Sequence, residues 1–110
     1  MCIRDSSNNN RLATGLITSS RNVGEKLWQL PLDNELRQDV ESQVADIRNA
    51  ALTRYGGAIT AAMFLEFFVD AIPWSHIDIA GPAYIEKRRS WIAPGSTGYG
   101  VRTLLNYLGI

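Results

Sequence analysis

Apolar side chains follow helical spacing over a long stretch in the middle of the chain. Between Gly56 and Ile72 they leave only a narrow polar stripe, formed chiefly by Glu66 and Asp70. Such a helix needs neighbours on nearly all sides. Pro73 disfavours helical backbone at the preceding residue, so we expect the helix to end at Ile72. The apolar positions are Ala58, Ile59, Ala61, Ala62, Met63, Phe64, Leu65, Phe67, Phe68, Val69 and Ile72.

The period changes to two residues directly after this proline. Trp74, His76 and Asp78 alternate with mostly aliphatic side chains up to Ile79, which predicts a buried strand. The small residues at 80–83, Ala-Gly-Pro-Ala, predict a turn with room beside its backbone. A helix followed by a strand is typical of an α/β layer, and ligands of open α/β sheets bind at the carboxyl ends of strands.

Weaker patterns predict the flanking elements. An amphipathic helix is expected through Leu12, Leu16 and Ile17, with an N-cap among Asn8–Asn10 and an end near Gly24. The other predicted elements are an extended segment at Lys26–Leu32, a polar helix capped by Asp33 at Asn34 to about Ser42, turns at Pro94–Gly98, and a closing helix with Val101, Leu104, Leu105 and Leu108 on one face.

These elements are too few to cover one another. One helix that is apolar nearly all round and one buried strand need further neighbours, because the strand's backbone must also form hydrogen bonds. We therefore expect residues 7–110 to be part of a larger sheet domain. Residues 1–6 show no periodicity and are interpreted as an unrelated, artefactual leader that is left out of the fold.

Charge and composition exclude several classes of function. The formal net charge is +0 at pH 7 and the basic residues are scattered, so we expect no nucleic-acid and no membrane partner. No apolar run approaches the roughly 18 residues of a membrane span, and no signal peptide is apparent. Cys2 is the only cysteine, which excludes an internal disulfide and favours a cytoplasmic location.

Three groups of residues offer candidate chemistry, each with a structural alternative. His76 and Asp78 on one strand face would suit a metal pair or an acid-base couple, or be buried polar groups satisfied by their neighbours. Gly56 and Gly57 would suit an anion site at a helix start, or close packing of the helix. The charges of Glu86–Arg89 would suit acidic ligands, or form a solvated loop.

Five segments in order resemble the leucyl (cytosol) aminopeptidase family. They are G-E-K-L-W-Q-L-P-L (24–32), S-Q-V-A-D-I-R-N (42–49), G-G-A-I-T-A-A-M-F-L (56–65), W-S-H-I-D-I-A-G (74–81) and G-S-T-G-Y-G-V-R-T-L (95–104). The resemblance implies an α/β fold, namely the carboxyl-terminal part of a three-layer αβα catalytic domain with a mixed sheet, incomplete in this chain.

For the intact enzyme, the resemblance implies a two-metal exopeptidase. Such enzymes use Zn²⁺ or Mn²⁺ to remove amino-terminal residues from peptides, and they work as homohexamers in the cytoplasm. The family's metal ligands and catalytic Lys and Arg lie in a lysine-rich segment and an N-T-D-A-E-G-R motif, neither of which occurs here. The chain is therefore expected to contain no catalytic residue and no metal ligand, to bind no metal and to be inactive alone.

The resemblance leaves part of the substrate pocket in this chain. Ala80 and Ala83 match family positions that line the pocket for the substrate's first side chain, and Ala50 matches a position near the following subsite. In some relatives, larger apolar residues stand at the positions that match Ala50 and Ala83. The alternative function is that of a noncatalytic α/β module that binds a partner through its apolar helix.

Overall fold

A strand near the start of the chain forms the centre of the larger sheet. The computed structural model describes residues 3–50 and 55–110. In it β1 (Ile3–Ser7) pairs in parallel with β2 (Leu27–Gln29) and antiparallel with β3 (Ser75–Asp78). The remaining elements are α1 (Asn10–Asn22), a 3₁₀ helix (Asn34–Asp39), α2 (Gly57–Glu66), a hairpin of β4 (Tyr84–Ile85) and β5 (Gly95–Ser96), and α3 (Val101–Leu108). The predicted α/β class and mixed sheet are confirmed.

The position of β1 corrects the expectation that residues 1–6 take no part in the fold. Residues 3–5 pair with β2 and residues 4–7 with β3, so Arg4 and Asp5 are paired on both sides. Leu30 N donates a further hydrogen bond to Asp5 O at 2.6 Å. Backbone hydrogen bonds need no side-chain alternation, which is why this segment forms a strand without the usual pattern. One side chain fits poorly, because the carboxylic side chain of Asp5 is fully buried.

Helix α1 begins and ends where the sequence predicted. Asn9 Oδ1 accepts a hydrogen bond from Leu12 N at 2.9 Å, and Gly24 follows the helix with a φ of 72°. The helix packs against α3 through Gly15, where an added β-carbon would lie only 2.6 Å from the ring of Tyr107. A glycine at this position therefore lets the two helices approach closely.

Helix α2 is shorter than predicted, because it ends at Glu66 and not at Ile72. After Glu66 the hydrogen bonds tighten to three-residue turns, and Asp70 has a positive φ of 54°. The carbonyl of Ile72 instead accepts a hydrogen bond from Asn8 Nδ2 at 3.0 Å. The turn before Pro73 is thus hydrogen-bonded to the residue that follows β1, and the helix does not extend to Ile72.

The expectation that α2 is packed on nearly all sides is wrong for this chain. Among its described apolar residues only Ala62 and Met63 are fully buried. Leu65, and Phe67 and Phe68 just beyond the helix, are 42%, 51% and 64% exposed. Too few described elements surround the helix to cover it. This agrees with the expectation that the predicted elements are too few to cover one another.

The remaining elements differ from prediction mainly in length or burial. Asp33 Oδ1 caps the polar helix by accepting from Glu35 N at 3.0 Å, but the helix is a short 3₁₀ helix that ends at Asp39. Strand β3 is half-buried along its length and not fully buried. Helix α3 forms as predicted, with much of its apolar face exposed.

Candidate functional site

The turn that follows β3 contains the two alanines of the predicted substrate pocket. Ala80 N donates a hydrogen bond to Asp78 Oδ1 at 3.0 Å, and Ala83 N donates to Ile79 O at 3.0 Å. The backbone of the turn therefore donates one hydrogen bond to the last side chain of the strand and one to the carbonyl group of Ile79. Ala80 is exposed, Ala83 is half-buried, and Pro82 between them is buried.

The β4–β5 hairpin supports this turn from the other side. Tyr84 pairs with Ser96 and Ile85 with Gly95, so Thr97 stands beside Ala83 just beyond the hairpin's last pair. The sequence predicted only turns in this region, because each strand has two residues and too few positions to show alternation. A cleft of ≈ 220 Å³ lies beside it and includes Pro82, Ile85, Thr97 and Tyr99 in its lining.

Ala50, the third predicted pocket residue, lies in a different segment. It is exposed at a bend directly before residues 51–54, which lie outside the described residues. Its neighbour Asn49 lines a cavity against α2 that shares no lining residue with the cleft at Pro82 and Thr97. Among the described residues, the structure thus brings Ala80 and Ala83 together in one turn and leaves Ala50 in a separate segment. None of the three alanines is among the residues that line these two cavities.

The geometry of β3 favours a structural role for Asp78. One of its carboxylate oxygens caps the Ala80 turn, while the ring of His76 stacks on Trp74 with centroids 6.2 Å apart and an interplanar angle of 20°. Across residues 3–50 and 55–110, no group of three or more His, Cys, Asp or Glu side chains is placed to hold a metal ion. His76 and Asp78 therefore do not form a metal centre with a third such side chain of the described chain.

A buried carboxylate lies on the neighbouring strand. Ser75 Oγ donates a short hydrogen bond to Asp5 Oδ1, and within the described residues Asp5 Oδ2 has no hydrogen-bond partner. Burial raises the pKa of Asp5, and the hydrogen bond from Ser75 and the charge of His76 oppose this rise. An unpaired buried oxygen is costly, so this carboxyl group is a weak point of the sheet.

The two other candidate groups are also structural. Gly56 precedes α2 with a φ of 67°, a left-handed conformation that favours glycine. It is exposed, and an added β-carbon there would lie 3.5 Å from Leu36, an ordinary contact, while one at Gly57 would meet nothing within 4 Å, so this pair does not pack closely. Residues 86–89 are exposed, as expected of a solvated loop, and Arg89 forms a backbone bridge with Ile92. No described helix is long and apolar enough to cross a membrane.

Comparison with known proteins decides the family. Residues 5–105 match the sequence model described as "Cytosol aminopeptidase family, catalytic domain". The chain belongs to this family. It is 50% identical over 102 residues to the "Probable cytosol aminopeptidase" of Thermosynechococcus vestitus, and this match covers 93% of the chain and 20% of the relative. The homologue from Prochlorococcus marinus (strain MIT 9313) is 50% identical over 98 residues, covering 88% of the chain and 20% of the relative.

Solved structures with the same fold include two enzymes. The bottromycin maturation enzyme BotP, solved in complex with Mn, superposes with a TM-score of 0.91 at 38% identity, covering 97% of this chain and 24% of BotP. A tomato leucine aminopeptidase variant gives a TM-score of 0.87 at 35% identity, covering 97% of this chain and 20% of that protein. The predicted family and the partial αβα domain are thereby confirmed, and the chain spans about a fifth of the length of its curated relatives.

Proposed function

We propose that residues 7–110 are the carboxyl-terminal part of the catalytic domain of a two-metal leucyl aminopeptidase, which removes amino-terminal residues from peptides. The observation that carries this proposal is that residues 5–105 match the catalytic domain of the family, while the chain covers only 20% of the length of its relative. The poor fit of Asp5 in the sheet supports the further proposal that residues 1–6 are an unrelated, artefactual leader.

The residues described here do not fit the metal ions that the family implies. They contain no cluster of three or more suitable side chains within residues 3–50 and 55–110. Together with the family resemblance, this supports the proposal that the Zn²⁺ or Mn²⁺ ligands and the catalytic Lys and Arg belong to the rest of the protein. The manganese bound by BotP supports a divalent metal in the intact enzyme.

In this proposal the chain contributes the wall of the substrate pocket. Ala80 and Ala83 have methyl side chains, so they leave room beside the turn for the first side chain of a peptide. Because neither residue can carry charge, bind metal or transfer a proton, the wall would affect which substrates fit and not the chemistry. Ala50 is proposed to lie near the following subsite.

The partners proposed for the intact enzyme are peptide substrates and further copies of itself, in a cytoplasmic homohexamer. The exposed apolar residues at the end of α2, such as Phe67 and Phe68, support burial against further protein. The same surface favours the second candidate, a noncatalytic α/β interaction module. Coding sequence for N-T-D-A-E-G-R upstream of Ser7 and in frame with it would support the aminopeptidase, whereas an unrelated upstream sequence would favour the module.

A direct test compares the chain alone with a full-length chimera. In the chimera, residues 3–110 of this chain replace the matching fifth of the Thermosynechococcus vestitus relative. Both proteins are assayed with Mn²⁺ or Zn²⁺ against leucyl and alanyl amide reporters. We expect turnover by the chimera, loss of that turnover with a chelator, and none by the chain alone. Turnover by the chain alone, or an assembled and metal-loaded chimera that is inactive, would contradict the proposal.

A further inference from the structure

A single residue, Thr97, is hydrogen-bonded to two consecutive carbonyl groups of the turn that contains the alanines. Thr97 Oγ1 donates to Pro82 O at 2.6 Å, and Thr97 N donates to Ala83 O at 2.9 Å. Among the described residues, the other hydrogen-bond partners of this turn's backbone are Asp78 Oδ1, which accepts from Ala80 N, and Ile79 O, which accepts from Ala83 N. Both belong to the preceding segment of chain. Thr97 is thus the described residue that ties the turn to another part of the fold.

The hydroxyl group of Thr97 is used both as a donor and as an acceptor. While it donates to Pro82 O, it accepts a hydrogen bond from Tyr99 N at 3.2 Å. Proline has no N–H, so the carbonyl is the only backbone polar group of Pro82 and its partner determines how that residue is held. Valine has nearly the same shape as threonine but forms neither bond. Serine forms both.

The far side of this connection is also anchored. Tyr99 Oη accepts from Lys26 N at 2.6 Å and donates to Lys26 O at 2.9 Å, which joins the segment to the residues before β2. The turn with Ala80 and Ala83 is therefore linked through Thr97 and Tyr99 to a distant part of the chain. Thr97 itself is half-buried.

We propose that Thr97 is a positioning residue that fixes the pocket wall at Pro82 and Ala83 and thereby sets the preference for the substrate's first side chain. This role rests on the proposed function, in which the wall faces that side chain. Thr97 acts through the backbone of its neighbours and does not touch the reacting atoms. Its loss would let the wall shift, so that contact with a large side chain weakens while a small one is little affected.

The test measures kcat and KM of the full-length chimera for leucyl and alanyl amide substrates in four variants. Thr97→Val removes the hydroxyl group, Thr97→Ser restores it, and Ala83→Phe fills the proposed wall directly. Thr18→Val is the matched control, because Thr18 Oγ1 also bonds a backbone carbonyl, that of Thr14 at 2.8 Å, on exposed α1. Metal content, assembly and Tm are measured for each variant.

We expect Thr97→Val to lower the leucine-to-alanine ratio of kcat/KM by about tenfold, mainly through KM for the leucyl substrate. Thr97→Ser should stay within about twofold of the parent, and Thr18→Val should leave the ratio unchanged. If Ala83→Phe changes the ratio and Thr97→Val does not, Thr97 has no positioning role although the wall is correct. If neither changes it, the proposed wall is wrong and the role of Thr97 falls with it.

A purely structural role would lower Tm and reduce turnover of both substrates equally, and that result would overturn the inference. If Thr97→Val does not assemble, Thr97→Ala removes the same hydroxyl group without a branched side chain. The ratio measured for Thr97→Ala is then held to the same expectations.

Discussion

The carboxylate of Glu25 accepts a hydrogen bond from the hydroxyl group of Thr103 at 2.5 Å, although 78 residues separate the two along the chain. The same oxygen of Glu25 also accepts from the backbone N–H groups of Gly100 and Thr103, each at 3.2 Å. These donors lie at the start of α3, where helical N–H groups have no partner within the helix. Glu25 therefore caps α3 from a distant segment, and its negative charge suits this end of the helix.

Replacing Glu25 should loosen α3 in the chimera. Glu25→Ala leaves the N–H groups of Gly100 and Thr103 unsatisfied in a buried place, and we expect a loss of about 2 to 3 kcal/mol in stability. Glu25→Gln keeps an acceptor oxygen and should cost less. Denaturant unfolding of assembled protein measures both, with exposed Glu41→Ala as the control. Equal stability of Glu25→Ala and the control would show that the cap contributes nothing.

Local side-chain chemistry explains what could be predicted from the sequence. The caps at Asn9 and Asp33 and the small-residue turn at Ala80 depend on neighbours in the chain, so the residues that form them are visible in the sequence. The end of α2 was missed because Asn8, far away in sequence, binds the carbonyl of Ile72. The contact of Thr97 with Pro82 could not be predicted either, because the two residues are distant in sequence. The two-residue strands that bring them together are also too short to show a periodic pattern.

Asp5 should make stability depend on pH in the opposite sense to an ordinary paired carboxylate. Because burial raises its pKa, the folded state binds the proton more tightly than the unfolded state. The stabilising contribution is fully present below the ordinary pKa of 3.8 and is lost as the pH rises through the higher folded-state value.

Asp5→Val should therefore stabilise the chimera at neutral pH, by about 1 to 3 kcal/mol, because it removes a buried carboxylate with an unpaired oxygen. The gain should shrink as the pH is lowered toward the folded-state pKa. Thermal unfolding at several pH values measures this, with exposed Asp46→Val as the control. A lower Tm for Asp5→Val at neutral pH would show that the segment fits the sheet better as it is.

The chain alone should show exposed apolar surface and little cooperative unfolding. Phe68 and Ile72 are 64% and 65% exposed, and such clustered apolar side chains normally contact further protein. We expect the chain to bind a hydrophobic dye, to self-associate and to give poorly dispersed amide resonances, whereas the chimera does not bind the dye. A monomer with dispersed resonances and a sharp melting transition would identify the chain as an independent domain.

Asp78 should act through hydrogen bonding and not through charge. Asp78→Asn keeps an oxygen that can accept from Ala80 N, so we expect kcat within about twofold of the parent chimera. Asp78→Ala removes the acceptor and should lower the leucine-to-alanine ratio, because the Ala80 turn is less well fixed. Steady-state kinetics on metal-loaded protein distinguish the two. Loss of turnover in Asp78→Asn would instead assign Asp78 an acid-base or metal-binding role.

Filling the proposed wall should change substrate preference without harming the chemistry. Ala83→Phe adds a ring beside the turn, so a large first residue such as leucine should lose more kcat/KM than alanine does. We expect a difference of about 1 to 3 kcal/mol, the usual effect of a small change in an apolar pocket. The measurement compares leucyl and alanyl amides in assembled, metal-loaded chimera, with Ala45→Phe on an exposed bend as the control. Because alanine at position 83 neither binds metal nor transfers a proton, turnover of the alanyl substrate should persist. An unchanged ratio would return residues 80–83 to the role of a structural turn.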